Sequence, residues 1–185
     1  MNECFDVNNL SIRQRIDLIK KRWNYYGWRR LFKYFFFQRI LRINSHVPWL
    51  CHWSSEVLSV ERIKCKDWNA DPGYSIGSYI QAANGIEFGR NMMLGPGVKI
   101  VSANHDLNDY EKHLEAKPIK IGDNAWLGSN VVITAGVELG PHTVVAANAV
   151  VTKSFPEGNC VLAGVPAKII KQLPDYKGKP SATIL

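Results

Sequence analysis

Proton transfer near neutral pH is work for an imidazole, and the chain has five, at His46, His52, His105, His113 and His142. His105 is set apart by its place. It stands in Ser102-Ala103-Asn104-His105-Asp106, directly ahead of the polar stretch DLNDYEKHLEAKPIK, whose composition is that of a surface loop. A base there could accept a proton from a hydroxyl brought to the surface; the plain alternative is a solvated surface histidine. The cysteines offer no comparable chemistry. Cys4, Cys51, Cys65 and Cys160 are scattered, with no C-x-x-C pair and no histidine at zinc-ligand spacing, which predicts reduced, mostly buried thiols.

The element that would position His105 is an internal repeat. From Ile76 the chain falls into blocks of six, IGSYIQ, AANGIE, FGRNMM, LGPGVK and IVSANH. After a break the pattern resumes at Ile121 with IGDNAW, LGSNVV, ITAGVE, LGPHTV, VAANAV and VTKSFP. Across these eleven blocks the first position is large and apolar ten times, Ala82 being the exception; the fifth is apolar or Thr ten times, Asn104 being the exception. The fourth position is Gly, Asn or His in eight of the eleven, the types that enter the left-handed region most readily. A corner every six residues, with an inward aliphatic opening each short strand, predicts a prism-shaped parallel β-helix. Three blocks make a coil, and coils stack at about 4.8 Å. A sandwich strand, with its period of two, would not set turn formers at a fixed interval of six.

Ile100 and Ile121 lie 21 residues apart, which reads as one 18-residue coil plus three. On that count residues 106–120 contain a loop protruding from the prism. His105 and Trp126, both at the sixth position, are then expected to lie close together in adjacent coils.

Three segments carry a family resemblance: IGDNAWLGSNVVITAGV ending at Val137, VVAANAVVTK ending at Lys153 and VLAGVPAKIIKQL ending at Leu173. They resemble the hexapeptide-repeat acyltransferases, and in particular the sugar O-acetyltransferases of the galactoside and maltose acetyltransferase type. The likeness covers roughly residues 72–173. It implies an all-β, left-handed parallel β-helix, against the usual right-handed crossover. It also implies a homotrimer with active sites between neighbouring prisms, and acetyl-CoA as co-substrate without a metal. The activity implied is transfer of acetyl to a carbohydrate hydroxyl, in the setting of surface polysaccharide biosynthesis. The family's base is the histidine at the place of His105, and its oxyanion donor is the backbone N–H at the place of Ser129. Trp126, Ala147 and Thr152 would lie along the pantetheine arm, with Lys153 beside them; Trp126 could equally meet a neighbouring subunit. Lys168 and Lys171 would meet the phosphates where the family often has Arg, as point charges rather than bidentate forks. Asn84 is the candidate for holding a sugar hydroxyl, and His113 could assist His105. Gly128 either lets a thioester near the backbone or is one more glycine of the repeat. Two competing readings stay open: an N-acetyltransferase acting on an amino sugar, and a catalytically silent trimeric scaffold.

Charge divides the chain. The 185 residues carry a net +7, but residues 1–70 hold 13 basic and 6 acidic residues while residues 71–185 hold 10 of each. The same cut leaves 13 of the 20 Phe, Trp and Tyr before residue 71 and 13 of the 14 Gly after it. Three regions are therefore expected: a basic, aromatic region over 1–70, helical and then irregular; the β-helix over 71–173; and a loose tail over 174–185. Ser11-Ile12-Arg13-Gln14 reads as a capping box opening a helix, with Ile12, Ile16, Ile19 and Trp23 as its apolar stripe. Gly27 should end that helix, and a second should run from Trp28 to about Ile43, its apolar face including Trp28, Leu31, Phe32 and Phe35. Residues 10–43 hold ten basic residues and one acid. Such helices either cap the open end of the prism, burying their aromatics, or lie against an anionic membrane surface. No nucleic-acid motif accompanies the charge. The acidic start lacks the basic and apolar regions of a signal peptide, so a cytoplasmic protein is expected, with the inner membrane face as its one candidate surface.

Overall fold

A computed structural model describes residues 11–67 and 71–178. Cys4 and the outer parts of the expected terminal regions lie outside the described residues. Strands β1 (Glu56–Leu58) and β2 (Ile63–Cys65) open the prism, followed by β3 (Tyr79–Gln81), β4 (Ile86–Phe88), β5 (Met93–Leu94) and β6 (Lys99–Val101). A hairpin of β7 (Asn104–Asp106) and β8 (Asp109–Leu114) then leaves the prism. The chain returns through β9 (Ile119–Ile121), β10 (Trp126–Leu127), β11 (Val132–Ile133) and β12 (Glu138–Leu139). It ends with β13 (Thr143–Val145), β14 (Val150–Val151), β15 (Cys160–Ala163) and β16 (Lys168–Gln172).

These strands form the three faces of a left-handed parallel β-helix. Face one is β1-β3-β6-β11-β14, face two β2-β4-β9-β12 and face three β5-β10-β13-β15-β16; all their pairings are parallel except β15 with β16. The prism thus begins at Glu56, ahead of the boundary at residue 71 that composition suggested. Coil packs on coil through like side chains. Val57, Ile80, Ile100, Ile133 and Val151 pair in register up the inside of face one, each with no exposed surface. Burial of each such aliphatic contributes roughly 1.5–3 kcal/mol.

The corner rule is borne out residue by residue. Gly85, Asn91, Gly97, Asn124, Asn130, Gly136, His142 and Asn148, the eight fourth-position Gly, Asn and His, all have positive φ. The second-position glycines answer to a different constraint. A Cβ on Gly128 would lie 2.7 Å from Ala147 N, and one on Gly95 would lie 2.7 Å from Ser129 N. Gly128 is therefore a product of close coil stacking.

Two expectations from counting fail at the insertion. Ile86 pairs with Ile119 and Met93 with Trp126, each 33 residues on, whereas the regular interval is the 18 from Trp126 to Val144. The insertion is thus 15 residues within a single block, and Ile119 takes the inward place that Asn104 vacates when the chain turns out of the prism. Residue 93, not 105, consequently lies beside Trp126. Ile76 also departs from its assigned column: it is 55% exposed, and Ile80 of β3 holds the inward place.

The tail is not loose as far as it is described. Tyr176 lies 5.1 Å from the His142 ring and accepts from Asn91 Nδ2 at 3.0 Å, while Asn159 Nδ2 donates to Asp175 at 3.3 Å. It lies along a column of corner side chains in which Asn91 Nδ2 donates to Asn124 Oδ1 at 2.8 Å.

Helix α1 (Ile12–Tyr26) starts at the expected capping box, with Ser11 Oγ accepting from Gln14 N, and stops at Gly27 with φ +77°. Helix α2 (Trp28–Phe35) follows and passes into a π-helical turn over Phe36–Ile40, short of the expected end at Ile43. The irregular segment 44–55 closes the prism, with Val47 and Cys51 fully buried in its core. The helices pack outside it through aromatic and polar side chains, with Leu18 of α1 buried and Phe37 stacked on Trp53. Tyr34 stacks on Tyr74 at 5.0 Å and donates to the Tyr74 carbonyl at 2.7 Å; buried Gln38 donates to Trp49 O and accepts from Cys51 N. The aliphatic and tryptophan stripes take no part in this packing: Ile12, Ile19, Trp23, Trp28 and Phe32 are all more than half exposed.

One buried ion pair ties α1 to the loop after β2. Arg22 Nη2 lies 2.7 Å from Asp71 Oδ1, and Tyr26 donates to Asp71 Oδ2 at 3.2 Å. Burial pushes the Asp71 carboxyl up to about 6, with Arg22 pulling the other way. The folded value lies above the unfolded value of about 4. The native state therefore holds this proton more tightly, and the group's contribution to stability declines between about pH 4 and 6 and is level above. Arg22→Ala leaves that carboxylate buried without its cation. Urea unfolding should show a loss of about 3 kcal/mol at pH 8, shrinking towards pH 4, where Asp71 is protonated. A loss independent of pH would assign the contact to packing alone.

Candidate active site

His105 lies exposed on β7, opposite His113 of β8, with ring centroids 4.3 Å apart. The turn joining the strands is made by short acids. Asp106 Oδ1 accepts from Asn108 N at 2.8 Å and Asp109 Oδ1 from Glu111 N at 3.2 Å, the local bonding that favours Asp in turns. Within the hairpin His105 Nδ1 meets the Tyr110 carbonyl at 2.5 Å. A carbonyl only accepts, so the neutral ring carries its hydrogen on Nδ1 and keeps its lone pair on Nε2. That leaves Nε2 as the ring nitrogen of His105 able to accept a proton.

The base of the hairpin is clamped to the coil beneath. Ser102 N donates to Gln81 O at 2.9 Å and Ala103 N to Gln81 Oε1 at 3.2 Å. Asn84 Nδ2 donates to Ser102 O at 2.9 Å and to Leu114 O at 3.0 Å, joining both ends of the excursion. Both amide hydrogens of Asn84 are thus taken by backbone, and its Oδ1 is the atom left to face a ligand. Asn84 also lines an open groove of about 470 Å³ together with Arg62, Lys64, Glu87 and Glu115. Gln81 and the Tyr110 carbonyl were not legible as site groups. A glutamine at a sixth position carries no signal, and a carbonyl acts through its place rather than its side chain.

The remaining candidates fall into two groups. Ser129 and Ala147 stand on the edge between faces three and one, in successive coils. Ser129 O accepts from Asn148 N at 2.9 Å, and the chain at Ala147 N lies over Gly128. Trp126, 51% exposed on β10 of face three, leads into this edge, and Lys168 and Lys171 stand exposed on β16 beside β15 of the same face. Thr152 and Lys153 stand exposed on the other edge, between faces one and two, where the Lys153 ammonium lies 5.6 Å from the centre of the Phe155 ring. His105 leaves the prism at that second edge, directly after β6. Within one chain, face one separates His105, Thr152 and Lys153 from Ser129 and Ala147. Among the described residues no group of three His, Cys, Asp or Glu side chains is placed to hold a metal ion.

Comparison with known proteins converges on the repeat. The bacterial transferase hexapeptide (six repeats) family matches residues 118–153. Galactoside O-acetyltransferase of Escherichia coli K12 is 38% identical over 93 residues, 49% of this chain and 45% of that protein. The chain spans about half the length of the curated relatives it matches. Among solved structures, a maltose O-acetyltransferase from Clostridium difficile 630 is 32% identical over 65% of this chain and 67% of its own, with a TM-score of 0.50. A hexapeptide-repeat-containing acetyltransferase from Vibrio cholerae O1 biovar eltor, complexed with acetyl coenzyme A, is 25% identical over 94% of this chain and 95% of its own, with a TM-score of 0.56. By the corners of its prism, its matched repeats and these relatives, the chain belongs to the hexapeptide-repeat acyltransferase family.

Proposed function

We propose that the chain transfers acetyl from acetyl-CoA to a carbohydrate hydroxyl, in surface polysaccharide biosynthesis in the cytoplasm. His105 is the base and the Ser129 amide the oxyanion donor. The observation that carries this reading is the fixed tautomer of His105, whose Nδ1–H is bound to Tyr110 O on an exposed hairpin. The names of the galactoside and maltose O-acetyltransferase relatives support the acceptor class, and the acetyl coenzyme A complex of the Vibrio cholerae protein supports the donor.

His105 Nε2 takes the proton of the acceptor hydroxyl as its oxygen attacks the thioester carbonyl carbon. The Ser129 N–H donates to the carbonyl oxygen as that oxygen gains negative charge. The imidazolium then returns the proton to the departing sulfur as the carbon–sulfur bond breaks. Lys168 and Lys171 supply exposed cations for the phosphates, and Trp126, Ala147 and Thr152 flank the arm, with Lys153 beside them. Asn84 holds the hairpin in place and offers Oδ1 to an acceptor hydroxyl. Because face one lies between His105 and Ser129, the reading requires a homotrimer in which one chain's His105 edge meets its neighbour's Ser129 edge.

Coenzyme A at a hundredfold excess over its Kd should raise the unfolding temperature by about 5–10 °C. Lys168→Ala with Lys171→Ala should weaken that binding roughly tenfold. No stabilisation at millimolar coenzyme A would point to a silent scaffold. In a mass-spectrometric screen of sugars and nucleotide-sugars, modification confined to amino sugars would replace the O-acetyl reading with the N-acetyl one.

A further inference from the structure

The apolar rows of the two N-terminal helices face away from the rest of the chain. In α1, Ile12, Ile16, Ile19 and Trp23 are 80%, 47%, 61% and 54% exposed; in α2, Trp28, Phe32 and Phe35 are 56%, 65% and 54% exposed. Single exposed apolar side chains are ordinary. Seven of them, spaced i, i+4, i+7, i+11 along α1 and i, i+4, i+7 along α2, make continuous rows of the kind that mark an interaction surface.

The rows are bordered by cations. At about 100° per residue, Arg13 and Lys20 fall on one flank of the α1 row and Arg15 on the other. Arg29, Arg30 and Lys33 stand exposed around α2. Residues 10–43 hold ten basic residues against Asp17 alone, and the rest of the chain has no comparable excess.

We infer that this face docks on an anionic lipid surface, with the apolar rows in the headgroup and acyl boundary and the basic flanks against lipid phosphates and carboxylates. An apolar row with tryptophans, edged by Lys and Arg, has the composition of a helix that lies in the interface. Neither described helix is long and apolar enough to cross a membrane. A second copy is the weaker occupant on charge. An isologous contact through this face would set one strongly basic surface against another, and a heterologous one would set it against the rest of the chain, whose 13 basic and 15 acidic residues are nearly balanced. The inference goes beyond acetyl transfer and stands or falls separately from it, since its surface shares no residue with the candidate active site.

The full chain should co-sediment with phosphatidylcholine vesicles containing about 30 mol% phosphatidylserine at least roughly tenfold more tightly than with phosphatidylcholine alone. Raising salt to about 0.5 M should remove most of that difference. Trp23→Ser with Phe32→Ser, and separately Arg13→Glu with Lys20→Glu and Arg29→Glu, should each weaken binding about tenfold. Thermal unfolding and coenzyme A binding should be unchanged in both, because all five side chains are exposed. Equal binding to both vesicles, or none, overturns the inference. So does self-association in the absence of lipid that the Trp23→Ser, Phe32→Ser variant abolishes, which would assign the face to a second copy.

Discussion

Replacing His105 with alanine should lower kcat/KM for acetyl transfer by about 10³-fold while leaving the thermal shift with coenzyme A intact. The size follows from what is removed. A positioned general base contributes roughly 10² to 10⁴ in rate, and the Nδ1–H bond to the Tyr110 carbonyl shows that this imidazole is held in one tautomer and one orientation. His105→Gln tests the orientation argument, because an amide can keep a hydrogen bond to Tyr110 O but cannot accept and return a proton at neutral pH. It should fold as well as the wild type and be as inactive as His105→Ala. Retained activity in either variant, on a confirmed acceptor, would remove His105 from the mechanism. Stopped transfer together with lost coenzyme A binding would instead mark His105 as part of the donor site.

The place of His105, at the start of an excursion from the prism, was legible because the repeat around it was. Eight slots in a single column, filled by the three residue types that best tolerate positive φ, fixed the corners, and those eight residues adopt positive φ. A corner is a local backbone property, so the residue type reports it directly. Strand adjacency is not local. Counting residues across the insertion placed His105 beside Trp126, while pairing puts Met93 there, because the extra 15 residues all fall inside one block. The warning lay in Asn104, the one residue of the fifth column that is neither apolar nor Thr: it marks where the chain leaves the prism. Ile119, which fills its inward place, was hidden in a stretch read as loop.

The helices show the opposite limit. Their period, cap and stop were all present in the sequence, and α1 runs from the capping box to Gly27. Amphipathicity says that a helix has an apolar face, not what that face meets. Here the contacts with the prism side include polar atoms of Tyr26, Tyr34, Gln38 and Arg22, each satisfied by a specific partner, and the stacking of Phe37 on Trp53. Such contacts depend on the exact placement of Asp71, Tyr74 and Trp49, which no periodicity encodes. Asn84 is a similar case, since its two donated bonds to Ser102 and Leu114 exist only once the hairpin has folded back.

A mixture of two inactive variants should recover activity. His105 leaves the prism at the edge between faces one and two, and Ser129 stands at the edge between faces three and one. The activated hydroxyl and the oxyanion donor must both lie within about 3 Å of the same reacting group. Across the width of face one a single chain does not meet that requirement, whereas the two edges of neighbouring chains can in a cyclic trimer. Ser129→Pro removes the amide hydrogen while keeping the carbonyl that accepts from Asn148 N. Alone, it should lose about 10²- to 10³-fold in rate. Unfolded together in equal amounts and refolded, the His105→Ala and Ser129→Pro chains assort at random. About one site in four then draws an intact His105 from one chain and an intact Ser129 from its neighbour. The mixture should regain roughly a quarter of wild-type activity, about 25 to 250 times more than either variant alone. A mixture no more active than its parts would mean that each site takes both residues from one chain, and the trimeric site would have to be abandoned even if His105 remained the base.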